Sequence, residues 1–392
     1  MVLRSNMKKR ILMIVLGMVL ISGLLISVSI SPEKKYIVKD GMLLALTIDG
    51  ESSFSFPNIN DRYRVSVDCE GGFPAKYQPV KVLNSNGEET SNYEMKLTFN
   101  DVNVDTIKCN LDFISVSDDS DFLLKNVVQN NANEITHTSD SISYRYQGKE
   151  PNNWVWFNNE LWRIIGYMPT CITSGCSTKE NLVKIIRSES IGGLKYHSSN
   201  SDAKWGTTTL YTLLNSYYYG KLDGTGQSSC AGTGQALCNY EVIGISTSST
   251  DYYNKMIESV YMTVGSTSQK MLSTILSTES NSITAEKIAI GMMYASDYGY
   301  AASGVTNTTN PENLGGYVDN NWLYSGLNEW TMTTSSYGAM FVSQEGSCLN
   351  GNVAGTYASS YGHIVRPAVY LDPSVYVIAG TGTEADPYIL GM

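Results

Sequence analysis

Side chains suited to covalent chemistry are few in this sequence of 392 residues. A nucleophile pair can be drawn from Cys348 and His363, with an acid from Asp319 or Glu329. The other histidines, His137 and His197, sit in polar segments, and nothing in the spacing brings them to the pair. No nucleophile elbow, zincin helix or phosphate loop is present in the sequence. Cys348 reads more simply as a free thiol, half-buried or held for an intermolecular bridge. The acids Glu150, Glu160, Asp202, Asp297 and Glu329 each neighbour aromatic residues, as sugar-cleaving carboxylates often do. In a chain with 27 tyrosines such neighbours also arise by chance.

Binding chemistry concentrates in "DNNWLYSGLNEWTMTT", residues 319–334. Tryptophan or tyrosine beside amide side chains suits stacking on sugars or gripping a protein loop. The candidate binding set is Asp297, Asp319, Asn320, Asn321, Trp322, Tyr324, Asn328 and Glu329. Against it stands the ordinary role of Asn and Asp in loops, which is to bond their own backbone and shape turns. Tryptophans, too, are more often core than platform.

Cysteine usage sets the compartment. Proximity suggests three pairs, Cys69–Cys109, Cys171–Cys176 and Cys230–Cys238, and such pairs persist only where conditions are oxidising. None of the spacings is a zinc pattern. At the N-terminus a basic segment (1–10) precedes residues 11–30, which carry no charge. At 1.5 Å per residue that run reaches about 30 Å, the thickness of a bilayer's hydrocarbon core. It is long for a cleaved signal peptide, so a signal anchor is expected, with a cleaved signal peptide as the alternative; the basic cluster is then cytoplasmic and the rest of the chain outside. Net charge is −10, and the basic residues of the leading segment make the remainder more acidic still. That argues against a nucleic-acid partner.

The elements that must position these residues can be read from periodicity. Residues 36–118 alternate apolar and polar in "LLALTI", "RYRVSVDC", "YEMKLTF" and "IKCNLDF", as a small β domain of immunoglobulin-like type would. A short helix with Leu123, Leu124, Val127 and Val128 on one face, capped by Ser120, then leads into a polar linker ending at 140. From 141 to 392 the pattern is α+β. "WVWFNNELWRIIGYM" and "LVKIIRSES" read as strands; "TTTLYTLLNSYYYG" and "STDYYNKMIESVYM" read as amphipathic helices. Short strands follow in "KIAIGMMYAS", "EWTMT", "AMFVS", "NGNVAG" and "IVRPAVYL", with a final pair around "GTGTEADP".

The order "SISYRYQGKEPNNWVWFNNELWRIIGYM", "NEWTM", "GHIVRPAVYLDPS" and "GTGTEADPY" resembles a pattern in exported surface proteins of Gram-positive bacteria, over residues 141–390. That resemblance implies a cell-surface location and no established activity. In layout, "LNEWTMTT", "AMFVSQEG" and "GHIVRPAVYL" are also similar to the C-type-lectin-like and sulfatase-modifying folds. The similarity implies that Trp330 and Arg366 are structural and that loops do the binding. It departs from sugar-binding lectins, because the one E-P-N, at Glu150–Asn152, lies near the start of the domain and no W-N-D follows. Calcium therefore lacks a motif, and no cofactor is expected. Copper chemistry of the sulfatase-modifying kind needs paired cysteines where this region has only Cys348.

These readings converge on a single-pass, membrane-anchored surface protein that recognises a carbohydrate or protein ligand. Alternatives are a glycan or cell-wall hydrolase and a structural component of the surface.

Overall fold

The computed structural model describes residues 37–39, 42–58, 61–70, 75–99, 107–138, 141–197, 205–220, 244–262, 270–280, 287–335, 338–350 and 362–392. Among them no helix is long and apolar enough to cross a membrane. The expected anchor at 11–30, the pair Cys230–Cys238 and Asp202 all lie outside the described residues.

The fold is mixed α+β, mostly sheet. A first sheet holds β1 (Ile37–Lys39), β2 (Met42–Ile48), β3 (Glu51–Ser53) and β4 (Tyr63–Cys69). The hairpin β5 (Ala75–Leu83) and β6 (Glu89–Phe99) stands apart from it, and β7 (Ile107–Ser115) completes it in the order β1-β2-β7-β4. Alternation is what makes β7 a strand: Ile107, Cys109, Leu111 and Phe113 are buried while their neighbours are not. Cys69 lies directly opposite Cys109 in the antiparallel β4–β7 pair, and the two are disulfide-bonded.

Helix α1 (Leu124–Asn131) follows, burying Leu124 and Val128. Its N-cap is Leu123, not Ser120; the Ser120 hydroxyl instead accepts from the Phe122 N–H in the turn before the helix. The expected linker is in part a strand. β8 (Asn133–Thr138) pairs with β9 (Ser141–Arg145) at the sheet margin. Its sequence looked like linker because Asn133, Glu134 and Thr136 are exposed, so no apolar alternation marks it.

The second sheet has nine strands. β10 (Trp154–Phe157), β11 (Glu160–Cys171) and β12 (Lys179–Arg187) form its centre, and the Cys171–Cys176 disulfide closes the turn between the last two. β13 (Gly193–Lys195) belongs to a third sheet. Helix α2 (Thr209–Leu213) is capped by the Thr208 hydroxyl, which accepts from the Tyr211 N–H, and continues as a π turn to Tyr218. Its stripe Leu210, Leu213, Leu214 and Tyr218 is fully buried.

Two expectations fail in the next hundred residues. The second amphipathic helix is only a 3₁₀ turn at Asn254–Met256, followed by β14 (Ile257–Glu258) on the sheet edge. Tyr253, Met256 and Val260 are buried, but tertiary pairing with β19 (Ala368–Leu371) takes the chain away from helix. Conversely, "KIAIGMMYAS" holds isolated bridges at Ile288 and Gly291 and then opens helix α4 (Ala295–Ala301), while α3 (Leu272–Glu279) precedes it.

The third sheet runs β13-β18-β15-β16-β17, with β15 (Glu329–Ser335), β16 (Gly338–Val342), β17 (Cys348–Asn350) and β18 (Gly362–Ile364). Of the expected strand "NGNVAG", only the start falls within described residues, in β17. The chain ends in the hairpin β20 (Tyr376–Ala379) and β21 (Tyr388–Gly391). β21 also pairs in parallel with β10, which brings the start and end of this region side by side.

Tyr376, Ile378 and Ile389 from that final hairpin lie in the core of the first sheet, against Leu44, Leu111 and Phe113. Arg62 donates to the Ser374 carbonyl and Arg64 to the Gly380 carbonyl, both at 2.9 Å. The two β-rich regions therefore share apolar surface through the last residues of the chain.

Candidate functional site

The expected binding stretch is mostly structural. Trp322 is 6% exposed; its indole N–H donates to the Tyr146 carbonyl at 2.8 Å, and the Arg163 guanidinium covers its ring at 4.6 Å. Asn321 is buried, donating to the Tyr298 carbonyl and accepting from the Leu323 N–H. Glu329 is 1% exposed and meets Arg366 through two hydrogen bonds of 2.8 Å, while Arg366 also donates to the Leu323 carbonyl. Trp330 is buried between Tyr196 and Phe341, its N–H on the Leu194 carbonyl. Asp297 is buried in a separate cluster described below. As ligand contacts, Asp297, Asn321, Trp322 and Glu329 are thus corrected to internal groups. Each hydrogen-bonds across elements, which polar groups removed from water must do.

What stays at the surface is the rest of the set. Asp319 and Asn320 are exposed; Tyr324 and Asn328 are half-exposed. Tyr324 and Asn328 flank the tip Ser325–Leu327, where Gly326 takes a positive φ of 74° and Leu327 is 54% exposed. A neighbouring turn supplies exposed Gln344 and Glu345. The two loops are tied together: the Tyr324 hydroxyl donates to the Gln344 carbonyl at 2.5 Å, and the Gln344 N–H donates to Asn328 Oδ1 at 2.8 Å. Behind them Gly346, at φ 80°, lies so close to Val318 that a Cβ would stand 2.1 Å from its Cγ1. The result is a fixed double loop displaying one leucine, a tyrosine edge and an acid.

The nucleophile pair does not assemble. Cys348 and His363 are on β17 and β18, with β15 and β16 between them. At about 4.8 Å per strand that is roughly 14 Å. Cys348 is 1% exposed and free, and burial raises its thiol pKa, the opposite of activation. His363 packs with its ring tilted against Trp330 at 4.2 Å and Phe341 at 4.6 Å, and burial lowers its pKa to about 4. His197 accepts from the Thr209 N–H. The proposed sugar-cleaving acids are likewise dispersed. Glu160 pairs with Arg187 at 2.6 Å, Glu329 with Arg366, and Asp297 with two cations, while Glu150 is exposed. Among the described residues no group of three or more His, Cys, Asp or Glu gathers as metal ligands would.

Apart from Asp297, sequence reasoning missed a buried polar cluster that joins two strands of the nine-stranded sheet to α3 and α4. Lys184 on β12 is 0% exposed, Asp297 on α4 1%, Glu279 at the end of α3 2% and Arg145 on β9 3%. Lys184 Nζ donates to Asp297 Oδ2 at 2.6 Å; Arg145 binds Oδ1; the Tyr294 N–H adds a bond to Oδ2 at 2.9 Å. The Lys184 ammonium also sits 4.1 Å from the Tyr294 ring centre and 5.5 Å from that of Tyr370. Glu279 Oε1 accepts from the Thr333 hydroxyl at 2.5 Å and the Ser296 N–H at 3.3 Å, whereas Oε2 has no hydrogen-bond partner.

A cavity of about 30 Å³ adjoins the cluster, lined by Arg145, Thr170, Glu279, Tyr294, Ser296 and Tyr370 among others. It has room for about two water molecules and not for a sugar. Burial raises the Glu279 carboxyl to about 7 and lowers the Lys184 amine. Burial would also raise Asp297, but the charges of Lys184 and Arg145 outweigh it and hold it below its ordinary value. Besides Asp297, the sequence trace was a lysine in the apolar run "LVKIIR", a residue type almost never fully buried without a partner.

No family model, curated protein or solved structure matches this chain.

Proposed function

We propose that the protein is a membrane-anchored extracellular recognition or adhesion protein whose contact surface is the double loop at 324–328 and 343–346. The observation that carries this reading is the pinned tip, in which Leu327 is held 54% exposed by a positive-φ glycine and loop-to-loop hydrogen bonds. A leucine fixed in solvent gains nothing for folding. Carried on the same tied double loop as Tyr324 and Glu345, it supplies an apolar anchor with a polar rim and little ordering cost on contact. A protein ligand fits that chemistry better than a sugar, since no exposed tryptophan platform accompanies it at this loop. The disulfides within the first and second sheets agree with an oxidising exterior.

The finer fold assignment is part of the same proposal. We read the first sheet as an immunoglobulin-like unit and residues 141–392 as C-type-lectin-like. Support for the latter comes from the parallel closure of β21 on β10 and from buried Trp330 and Arg366 behind surface loops.

The test is a protein and glycan array probed with residues 36–392 and with Leu327→Asp. Binding to a protein class, weakened about tenfold or more by the substitution, is expected for an anchor of about 1.4 kcal/mol. Binding untouched by Leu327→Asp and by Glu345→Lys would remove the double loop from the reading.

A further inference from the structure

The cluster around Lys184 has no part in the surface just described, and its geometry is unusual for a structural ion pair. A fully buried primary amine touches a fully buried carboxyl group at 2.6 Å, between two tyrosine rings, with a second buried carboxyl group alongside. A pair of charges taken out of water gains little or nothing over neutral packing of the same volume. Here there are two cations and two acids in one such place, and Glu279 Oε2 is left without a hydrogen bond beside a cavity of water size.

We propose that Lys184 and Asp297 join as an intramolecular amide, a covalent cross-link between β12 and α4, with Glu279 carrying the protons. The amine nitrogen attacks the Asp297 side-chain carbon. Oδ1, bound by Arg145, takes the developing negative charge and becomes the amide oxygen. Oδ2 is the leaving oxygen. Starting from the ammonium and the carboxylate, two protons pass from Nζ to Oδ2, which departs as water, and the remaining N–H belongs to the amide. No oxidant or co-reactant is needed.

Glu279 suits the transfer because its Oε1 accepts from the N–H of Ser296, the residue before Asp297, and it shares the cavity wall with Arg145 and Tyr294; its carboxyl group is also poised near neutrality by burial. The adjoining cavity can take up the released water. Fixed contact supplies an effective concentration of about 10⁵–10⁸ M, which offsets the tendency of water to reverse amide formation. The product also balances the site, since Arg145 and Glu279 remain as one cation and one anion. The bond would tie together residues 113 apart in sequence, and it stands whether or not the double loop binds a partner.

Peptide mapping of the full chain after reduction and alkylation tests this. The expected result is a peptide containing Lys184 that travels with the peptide containing Asp297, at a combined mass one water below their sum, with trypsin failing to cut after Lys184. Recovery of the two peptides separately, each at its full sequence mass, overturns the cross-link. Glu279→Gln tests the proton role: with native circular dichroism and both disulfides present, it should leave the two peptides unlinked. Linked peptides in a folded Glu279→Gln chain overturn that role. Lys184→Arg, which keeps the charge but cannot form the amide, is expected to show unlinked peptides.

Discussion

Arg366 grips Glu329 through two parallel hydrogen bonds of 2.8 Å, and both side chains lie almost wholly out of solvent. The pair joins β15 to the segment after β18, and the third donor on Arg366 holds the Leu323 carbonyl just before the double loop. A buried fork of this kind is costly to break from one side only. Arg366→Ala is expected to lower stability by about 3–5 kcal/mol, because the Glu329 charge is left buried and alone. Arg366→Lys should recover only part of that, since the bidentate geometry is lost. Denaturant titration of the variants checks both statements; an Arg366→Ala midpoint equal to wild type would refute the role.

Cys348 sits in β17 at 1% exposure, with burial raising its thiol above the ordinary range. Native protein should therefore label with a thiol reagent on the order of 10³-fold more slowly than unfolded chain, since reaction waits for opening of a domain of ordinary stability. Rapid labelling in buffer would show the thiol reachable and would reopen an intermolecular bridge as its purpose.

The His363 ring, 5% exposed and packed against Trp330 and Phe341, has its pKa lowered to about 4 by burial. Below pH 6.5 the unfolded chain takes up a proton that the folded chain refuses until about pH 4. Stability should fall as pH drops through that window, by on the order of 3 kcal/mol from this residue, and should be unaffected by it above the window. His363→Phe keeps the ring packing and is expected to flatten the dependence between pH 4 and 6.5. An unchanged slope in that variant would mean that other groups set it.

Tyr376 belongs to the last hairpin yet lies in the core of the first sheet, beneath the Arg62 guanidinium at 5.1 Å. Tyr376→Ala should destabilise the first sheet by about 3 kcal/mol, as deletion of a buried ring does. The readout is proteolysis of residues 42–115 under mild denaturant. If that region resists cleavage as well in the variant as in wild type, the shared core contributes nothing to its stability.

Sequence periodicity made β7, α2 and the final hairpin legible, because their apolar residues recur at the spacing that one buried face requires. It also paired Cys69 with Cys109 by proximity, and strand register confirms the bond. It misjudged β8, whose exposed polar residues carry no alternation, and the 249–262 segment, where helical spacing of apolar residues lost to edge pairing with β19. Half of the candidate set, Asp297, Asn321, Trp322 and Glu329, turned inward for a related reason. Residue type cannot say whether Trp322 or Asn321 turns inward, since that depends on Tyr146 and Tyr298, remote in the chain.

By itself, then, the sequence determined a β-rich α+β chain with local disulfides, since these depend on near neighbours and repeating spacing. Tertiary structure alone decided which polar residues face water and which meet inside. Lys184 and Asp297 are 113 residues apart, and only the tertiary meeting of α4 with β12 puts an amine and a carboxyl group in contact. Long-range proximity of that kind leaves no periodic mark along a single chain.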